Sequence, residues 1–510
     1  MSRKRTKDRV RQRTTGRIEQ ARWRTLHNRY PPFEVLSAEQ LEAIHATSLS
    51  VLEDFGIEFR SESALRLLAD AGAEVDHSTQ MVRFDRGLVA ELIAHAPSEF
   101  TLNARNSAHN VTIGGRHLCF DSVGGPPNSA DNVSGRQMGT FEECCRFFKL
   151  AQSLNVLHII GGWPIAPTDL NADTRHLDCT LALITLTDKV WFANAIGAER
   201  VADALEMLRI AHGLDHEQLA STPCTFSVIN VNSPRRYDEA MTDGLMELAR
   251  NGQANCITPF TLCGAMSPIT LAGGLAQQNA EVLAGVALTQ IVRPGAPAIY
   301  GGFTSNVDMK TGSPAFGTPE YTKACVASGQ LARRYGLPYR SSNTNASNAV
   351  DAQAAYESSM SIWGSVLGHC NLLHHAVGWL EGGLTASFEK AIIDAEMLQM
   401  MAAFLDPIEV NDETLALSAI GEVEPGGHFF GSEHTLGRYE DAFYKPLVSD
   451  WRNFETWLEA GGLDATERAN KICKSLLDEY QPPELDKGIQ EALEAFVARR
   501  KGEFESGAKR

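Results

Sequence analysis

The sequence predicts a (β/α)8 TIM barrel, an α/β fold, with an N-terminal helical segment before it and a C-terminal extension after it. Short apolar runs alternate with amphipathic helical stretches from residue 117 to residue 405. The runs are apolar along nearly their whole length, which is typical of parallel strands covered by helices. Eight such strand and helix units can be counted, and eight is the number that closes into this barrel.

Each predicted strand directly precedes a predicted helix. The strands are HLCFDSV (117–123), NVLHIIGG (155–162), KVWFANAIG (189–197), TFSVIN (225–230), NCITPFTL (255–262), PAIYGG (297–302), LPYRSS (337–342) and NLLHHAV (371–377). The helices are predicted over 140–153, 172–187, 199–212, 236–251, 274–292, 319–335, 350–368 and 387–404. In such barrels the working groups lie where strands end and helices have not begun, so residues at those ends are the candidates for a functional site.

The regions outside the barrel differ in composition. Residues 1–36 open with the basic run MSRKRTKDRVRQRTTGR, which we expect to be a disordered arm or, alternatively, one that wraps a neighbouring subunit. Residues 37–116 are predicted to be a helical segment that packs on the barrel. It starts at Ser37, which has Gln40 three residues later in the spacing of a capping box. Residues 406–510 are expected to form an extension that is mostly helical toward its end.

Composition limits the classes of function. A hydrophobic content of 43% over 510 residues allows a large core. A net charge of -17 makes nucleic acid and membrane surfaces poor partners. No apolar run follows the basic N-terminus, so neither a secretory signal nor a membrane anchor is predicted. The ten cysteines form no CxxC pair, which argues against a disulfide framework or structural zinc and favours a cytoplasmic protein.

Several common catalytic motifs do not occur in the sequence. There is no GxGxxG after a strand, no GxxxxGK[ST], no HExxH and no GxSxG. Nucleotide, zinc and α/β-hydrolase chemistry are therefore disfavoured, and no metal site is predicted. Lys189 begins a strand rather than ending one, which weakens the case for a Schiff-base mechanism.

The segment CNLLHHAVGWLEGGLTASFEK, residues 370–390, has several candidate functional side chains at one strand end. His374 and His375 are neighbours in a strand, so their side chains are expected on opposite faces. One of them should then pack behind the barrel, and His375 is the better functional candidate. Trp379 could instead be core that caps the barrel mouth, and Glu381 could bind nearby backbone amides.

Four segments together resemble the trimethylamine methyltransferase-like family of corrinoid-dependent methyltransferases. They are LEAIHATSLSVLEDFGIEF, GLPYRSSNTNASNAVDAQAAYES, LLHHAVGWLEGGLTASFEKAIIDAEML and GGHFFGSEHT. The resemblance covers most of the chain, from residue 35 to residue 490. It implies a TIM barrel, in agreement with the count of strands.

The trimethylamine enzymes of this family carry pyrrolysine, whereas this chain is written in the twenty standard residues. It therefore resembles the branch without pyrrolysine, that of glycine betaine methyltransferase. The resemblance implies an enzyme that moves a methyl group from a quaternary amine, such as glycine betaine, to the Co(I) of a separate corrinoid protein. The chain has no DxHxxG corrinoid-binding segment, so no corrinoid is expected to be bound tightly. The alternatives are a methyltransferase for another methylated amine or sulfonium (carnitine, proline betaine) and a non-catalytic binder of betaine-like solutes.

The implied chemistry requires positioning, so no residue is predicted to act as acid or base. A quaternary ammonium has no N–H, so aromatic faces are its usual partners, and the carboxylate of a betaine needs hydrogen-bond donors. The predicted substrate-binding residues are His375, Trp163, Phe192, Phe260, Phe303, Tyr339, Arg340, Asn343, Asn345, Tyr356, Trp379 and Glu381. The glycines predicted to keep the rim low enough for a corrin ring are Gly161, Gly162, Gly301, Gly302, Gly382 and Gly383. The N-terminal segment and the long extension also lead us to expect a homo-oligomer.

Overall fold

Eight parallel strands close into a barrel, which confirms the predicted fold. The structure is a computed structural model that describes residues 18–507. Each barrel strand pairs with the next, and the eighth pairs with the first, with Leu372 opposite Cys119 and Leu373 opposite Phe120. The strands are β1 (His117–Ser122), β2 (Ile159–Ile160), β3 (Val190–Phe192), β4 (Thr225–Val231), β5 (Ala254–Pro259), β6 (Ala298–Gly301), β7 (Tyr339–Ser342) and β8 (Leu372–Val377).

A helix follows each barrel strand and packs on its outer side. The helices are α1 (Phe141–Ser153), α2 (Arg175–Leu186), α3 (Ala198–His212), α4 (Glu239–Arg250), α5 (Leu271–Val292), α6 (Pro319–Arg334), α7 (Ala352–Leu367) and α8 (Phe388–Phe404). The predicted limits agree with these to within three residues. The second strand is much shorter than predicted, because Asn155 and Val156 form a turn after α1. Within residues 18–507, no helix is both long enough and apolar enough to cross a membrane.

The described part of the N-terminal arm lies against the barrel. Strand Leu26–His27 pairs antiparallel with β1, and Trp23 packs on the apolar cluster inside the barrel. The prediction of a disordered arm over residues 1–36 is therefore wrong for residues 18–36, because Leu26 is buried and Trp23 is partly buried against the barrel. The basic run of residues 1–17 lies outside the described residues.

Residues 37–116 contain more strand than the predicted helical segment. Their first helix begins at the predicted capping box, where Ser37 Oγ accepts from the Gln40 backbone at 3.3 Å and Gln40 Oε1 accepts from the Ser37 backbone at 2.9 Å. The helices are Ala38–Ser50, its π-helical continuation Val51–Phe55, Glu62–Asp70, Arg86–Ile93 and the 3-10 turn Ser107–His109. The strands are Ile57–Phe59, Glu74–Asp76, Met81–Arg83, Glu99–Leu102 and Val111–Gly114.

The barrel interior changes from apolar to polar along its axis. The lower, N-terminal half is plugged by the hairpin of Glu99–Leu102 and Val111–Gly114. Its apolar cluster consists of Leu102, Ala104, Val111, Ile113, Cys119, Ile159, Val190, Phe226, Val228, Ala254, Cys256, Ile299 and Leu372. Toward the C-terminal end of the barrel lie the buried polar residues Asp121, Arg340 and His374. Side chains two residues apart share a face of a strand, so Asp121 and His374 point inward like the cluster residues Cys119 and Leu372.

Short strands and turns extend the loops beyond the barrel strands. Helix His216–Ser221 follows α3, and strand Arg236–Tyr237 joins the N-terminal segment by pairing with Ile57–Phe59. One small sheet contains Leu262–Cys263, Ser305–Val307 and Pro314–Ala315. Another contains Trp379–Leu380, Thr385–Ser387, Asn128–Asp131 and Gly135–Met138, and the 3-10 turn Glu381–Gly383 links its first two strands.

The C-terminal extension returns along the barrel after a protruding stretch. Its helices are Asp412–Leu415, Leu417–Glu422, Glu433–Leu436, Phe454–Glu459, Ala465–Asp478 and Lys487–Glu505. The last helix is fixed by Arg500, whose Nε donates to Asp203 Oδ1 of α3 at 2.7 Å and whose Nη2 donates to Glu199 at 2.9 Å. Burial acts to raise the pKa of Asp203, but hydrogen bonds from His176 and Arg500 hold that pKa below the ordinary value.

We expect Arg500→Ala to lower the free energy of unfolding by about 3–5 kcal/mol, because it leaves Asp203 buried without its cation. The matched control is Arg499→Ala, which removes a half-exposed arginine paired with Glu503 and should cost less than about 1 kcal/mol. Urea unfolding monitored by circular dichroism measures both. Equal losses in the two variants would show that the last helix does not depend on this pair.

Candidate functional site

A cavity of about 380 Å³ opens at the C-terminal end of the barrel strands. Seven of the eight strands or the loops that follow them contribute to its wall; β2 does not. We call it the barrel-mouth cavity. It is lined by Gly124, Gly125, Phe192, Asn194, Ala195, Ile196, Val228, Asn230, Met241, Thr258, Phe260, Phe303, Arg340, His374, His375, Trp379, Gly382 and Gly383.

A buried arginine provides the positive charge of this cavity. Arg340 lies in the middle of β7 and is 1% exposed. Among the described residues, its Nε and Nη1 have no hydrogen-bond partner. Burial lowers the pKa of Arg340, but a guanidinium remains protonated at neutral pH. A desolvated cation with free N–H groups is strongly stabilised by an anion, so the cavity is suited to a carboxylate.

Asp121 and His374 form a buried pair beside this charge. His374 Nδ1 lies 2.5 Å from Asp121 Oδ2, across the junction of β8 with β1. Burial raises the pKa of Asp121 and lowers that of His374, so the uncharged form of each is favoured. Within the described chain, Asp121 Oδ1 has no hydrogen-bond partner.

Both histidines of β8 line the cavity, so the prediction that one packs behind the barrel is wrong. His375 has a φ of 54°, in the left-handed region, and the register of β8 against β1 shifts between Leu373 and Val377. This irregularity breaks the alternation on which the prediction depended. The two imidazole centroids lie 3.8 Å apart. His375 Nδ1 is 3.3 Å from Ser342 Oγ, and burial lowers its pKa well below the ordinary value, so this ring is neutral at pH 7.

Aromatic rings surround the polar base. Phe260 and Phe303 stack with centroids 5.4 Å apart, and Trp379 lies 6.4 Å from Phe303 and 4.2 Å from His375. Phe192 contacts the His374 ring from another strand, with centroids 6.0 Å apart. Ring faces attract a cation that cannot donate hydrogen bonds, so the cavity places groups that can bind an alkylated ammonium beside a group that can bind an anion.

Six predicted binding residues line this cavity, namely His375, Phe192, Phe260, Phe303, Arg340 and Trp379. Four others lie elsewhere. Tyr339 faces outward, since it precedes Arg340 in the strand, and its hydroxyl donates to the Cys325 carbonyl at 2.7 Å. Tyr356 is 58% exposed on α7. The amides of Asn343 and Asn345 donate to the backbone carbonyls of Ala376 and Trp379 and so hold the β8 segment in place.

Trp163 and Glu381 also lie outside the cavity. Trp163 lines a separate small pocket that Phe192 also borders, and the Arg175 guanidinium lies 5.7 Å from the Trp163 ring centroid. Glu381 accepts from Arg136 Nε with both oxygens at 2.9 Å. Residue 381 has a φ of 53°, which turns its side chain toward the loop sheet rather than the barrel axis.

Of the six glycines predicted to lie at the rim, some line the cavity and the others do not. Gly382 and Gly383 line the cavity. The other four are packing positions, because an added Cβ would lie less than 3 Å from neighbouring atoms, including backbone oxygens in β1 and β5. They therefore do not shape the rim as predicted; these four are Gly161, Gly162, Gly301 and Gly302.

Sequence reasoning missed part of the site. Asp121 was available as a signal, because it is an aspartate in the inward register of an otherwise apolar strand. The cavity residues Gly124, Gly125, Asn194, Asn230 and Thr258 lie at strand ends that the barrel prediction identifies, but they are not among the predicted binding residues. Among residues 18–507, no group of three or more His, Cys, Asp or Glu side chains could hold a metal ion.

The chain is similar to methyltransferases along almost its whole length. A family model described as Trimethylamine methyltransferase (MTTB) matches residues 2–505. Glycine betaine methyltransferase of Desulfitobacterium hafniense (strain Y51) is 36% identical over 471 residues, covering 92% of this chain and 98% of the relative. Trimethylamine methyltransferase MttB of D. hafniense (strain DSM 10664 / DCB-2) is 30% identical over 470 residues, covering 92% and 94%.

A solved structure supports the fold independently of sequence. The monomethylamine methyltransferase MtmB of Methanosarcina barkeri superposes with a TM-score of 0.50 at 10% identity, covering 91% of this chain and 89% of that chain. At this identity the likeness concerns the fold alone.

The pH dependence of stability tests the burial of His375. Its lowered pKa means that the unfolded chain binds a proton below the ordinary value of 6.5 while the folded chain does not. Stability therefore falls as the pH drops through that range, by about 1.4 kcal/mol per pH unit for one such group. Between pH 7.5 and 5.5, His375→Gln should lose about 1 kcal/mol less unfolding free energy than the parent. The same loss in both proteins would mean that His375 is protonated in the folded state.

Gly382 and Gly383 provide a matched pair of substitutions. Both have left-handed backbones, but a Cβ at Gly383 would lie 2.6 Å from the Trp379 ring, whereas one at Gly382 would lie 3.5 Å from Phe316. We expect Gly382→Ala to cost about 1 kcal/mol of stability through strain. Gly383→Ala should cost a further 1–3 kcal/mol or so through overpacking. Adding Trp379→Phe to Gly383→Ala should recover part of that loss in urea unfolding; no recovery would exclude the ring contact as its cause.

Proposed function

The chain belongs to the trimethylamine methyltransferase (MTTB) family, and from this premise we propose that it demethylates a carboxylated quaternary amine of the glycine betaine type. The methyl acceptor in this proposal is the reduced cobalt of a corrinoid carried by a separate protein. The relative with the glycine betaine name is 36% identical, against 30% for the one named for trimethylamine.

The observation that carries this proposal is the unpartnered guanidinium of Arg340 in a cavity walled by aromatic rings. A betaine joins a carboxylate to a permanent cation, and the cavity offers a partner for each. The Arg340 fork can bind the carboxylate, and the faces of Phe260 and Trp379 can bind the trimethylammonium group. Trimethylamine has no carboxylate and would leave the Arg340 charge uncompensated.

The neutral His375 can add a second donor to the carboxylate. If Ser342 donates to Nδ1, the imidazole proton lies on Nε2 and is free to donate. His374 is held by Asp121, and its ring lies against that of His375. These groups orient the substrate. They need not transfer a proton, because a quaternary ammonium leaves as a neutral tertiary amine.

In the proposed step the bond between nitrogen and one methyl carbon breaks, and its electron pair stays on nitrogen. The carbon forms its new bond with the electron pair of Co(I), so dimethylglycine is the product when glycine betaine is the substrate. The chain binds the amine at both ends and points one methyl group out of the barrel mouth, which lowers the entropic part of the barrier. Burial raises the pKa of the nearby Cys256 thiol to about 11, so it stays protonated and is a poor methyl acceptor.

We expect Arg340→Met to weaken glycine betaine binding by about 1.5–3 kcal/mol, roughly 10- to 150-fold, the usual range for a hydrogen bond to a charged group. Choline lacks the carboxylate and should change less than threefold or so. Isothermal titration calorimetry measures both, and Tyr356→Ala, on the exposed face of α7, is the control. Equal losses for the two ligands would mean that Arg340 does not bind the carboxylate.

Methyl transfer is tested with purified chain, Co(I)-cobalamin and one amine at a time. Methylcobalamin absorbance and dimethylglycine should appear together with glycine betaine, and little should form with trimethylamine. Preference for trimethylamine would overturn the assignment of substrate class. Turnover without any cobalt species would overturn the assignment of acceptor.

A further inference from the structure

The C-terminal extension carries a large apolar surface on a segment that hardly touches the barrel. We call residues 407–443 the C-terminal arm. Within the described residues, its hydrogen bonds and ion pairs stay inside the arm, for example Arg438 with Glu413. Its exposed large apolar side chains are Ile408, Val410, Leu415, Leu417, Ile420, Phe429, Phe430, Leu436, Tyr439 and Phe443.

The exposed area is larger than a monomer normally tolerates. Leu417, Phe430 and Phe443 are each at least 80% exposed. With side chains of this size, the ten together present on the order of 1,000 Å² of apolar surface. The largest apolar patch on a typical monomer is about 300–600 Å², and a stable interface buries about 800 Å² on each partner. The arm therefore has the area of one half of a stable interface.

An apolar groove lies on the barrel next to the arm's root. Between α7 and α8, side chains from both helices line a groove of about 250 Å³ with little polar surface. Trp363, Met400 and Phe404 are 37%, 51% and 45% exposed there. We call this the α7/α8 groove; it consists of Ser359, Ile362, Trp363, Met397, Met400, Met401 and Phe404.

We propose that the C-terminal arm of one chain packs into the α7/α8 groove of a second copy, reciprocally, so that the protein is a homo-oligomer held by exchanged arms. One chain presents both surfaces, and the groove ends at Phe404, three residues before the arm begins. A two-fold axis near this root would place each arm on the other chain's groove, which is the self-complementary arrangement of a closed dimer.

Other occupants fit these surfaces less well. The arm is rooted at the N-terminal end of the barrel, where Arg24 binds Asp406 and Tyr30 donates to the Phe404 carbonyl. A methyl acceptor has to reach the opposite end, where the cavity opens. Residues 1–17 of the same chain are basic and contain few large apolar side chains, so they match neither apolar surface.

Light scattering after size exclusion tests the assembly. The full chain should be a dimer or a larger oligomer at micromolar concentration. Phe430→Glu with Phe443→Glu, and separately Trp363→Glu with Met400→Glu, should each raise the dissociation constant about 100-fold or more. The control is Val133→Glu with Met309→Glu, which adds the same charges at exposed apolar positions in loops beyond β1 and β6. A monomeric parent, or arm variants that stay assembled, would overturn the proposal.

A crosslinking experiment identifies the occupant. A photoreactive benzoylphenylalanine replaces Phe430 in unlabelled chain, which is mixed with nitrogen-15-labelled parent and irradiated. Crosslinks between an unlabelled arm and labelled peptides from residues 352–404 are expected. Crosslinks confined to one chain, or crosslinks to residues 1–17, would show that the groove is filled in some other way.

Discussion

The charge of Arg340 is the constraint on which the rest of the barrel mouth depends. A guanidinium taken out of water costs several kcal/mol unless neighbouring groups compensate it. The described residues leave two of its nitrogens without partners, and burial favours the uncharged form of the nearby Asp121. The fold therefore tolerates a cation that is incompletely neutralised. In the proposed function, a bound carboxylate would complete that neutralisation, so ligand affinity and fold stability would depend on the same interaction.

The irregular end of β8 makes room for this arrangement. A left-handed backbone at a residue other than glycine costs about 1 kcal/mol or more, and the chain accepts it at His375 and again at Glu381. Contacts behind the strand hold it: Lys390 pairs with Asp394, which accepts from the Gly378 backbone at 2.9 Å. Because both rings then face inward, a single strand supplies two imidazoles to one cavity.

The barrel could be predicted from the sequence because apolar periodicity determines which segments are strands and helices. All eight strands were found in this way, since each must bury both faces. The site could be predicted only in part. The sequence predicts both Arg340 and Tyr339 as binding residues, but in β7 Arg340 points into the cavity and Tyr339 points outward. The prediction that Tyr356 binds substrate is wrong, because which face of α7 points outward depends on how the helix packs against its neighbours. The prediction that one histidine of β8 packs behind the barrel is wrong, because composition does not show where a strand is irregular.

The two proposed activities, methyl transfer and assembly, lie at opposite ends of the barrel. The cavity opens at the C-terminal end, where its rim includes Gly382 and Gly383, while the C-terminal arm is rooted at the other end beside Arg24 and Asp406. An oligomer formed through the arms would therefore leave every cavity open to a large methyl acceptor. If the arms instead folded over the mouths, assembly and methyl transfer would compete for one surface. The separation of the two surfaces along the barrel axis allows both to occur at once.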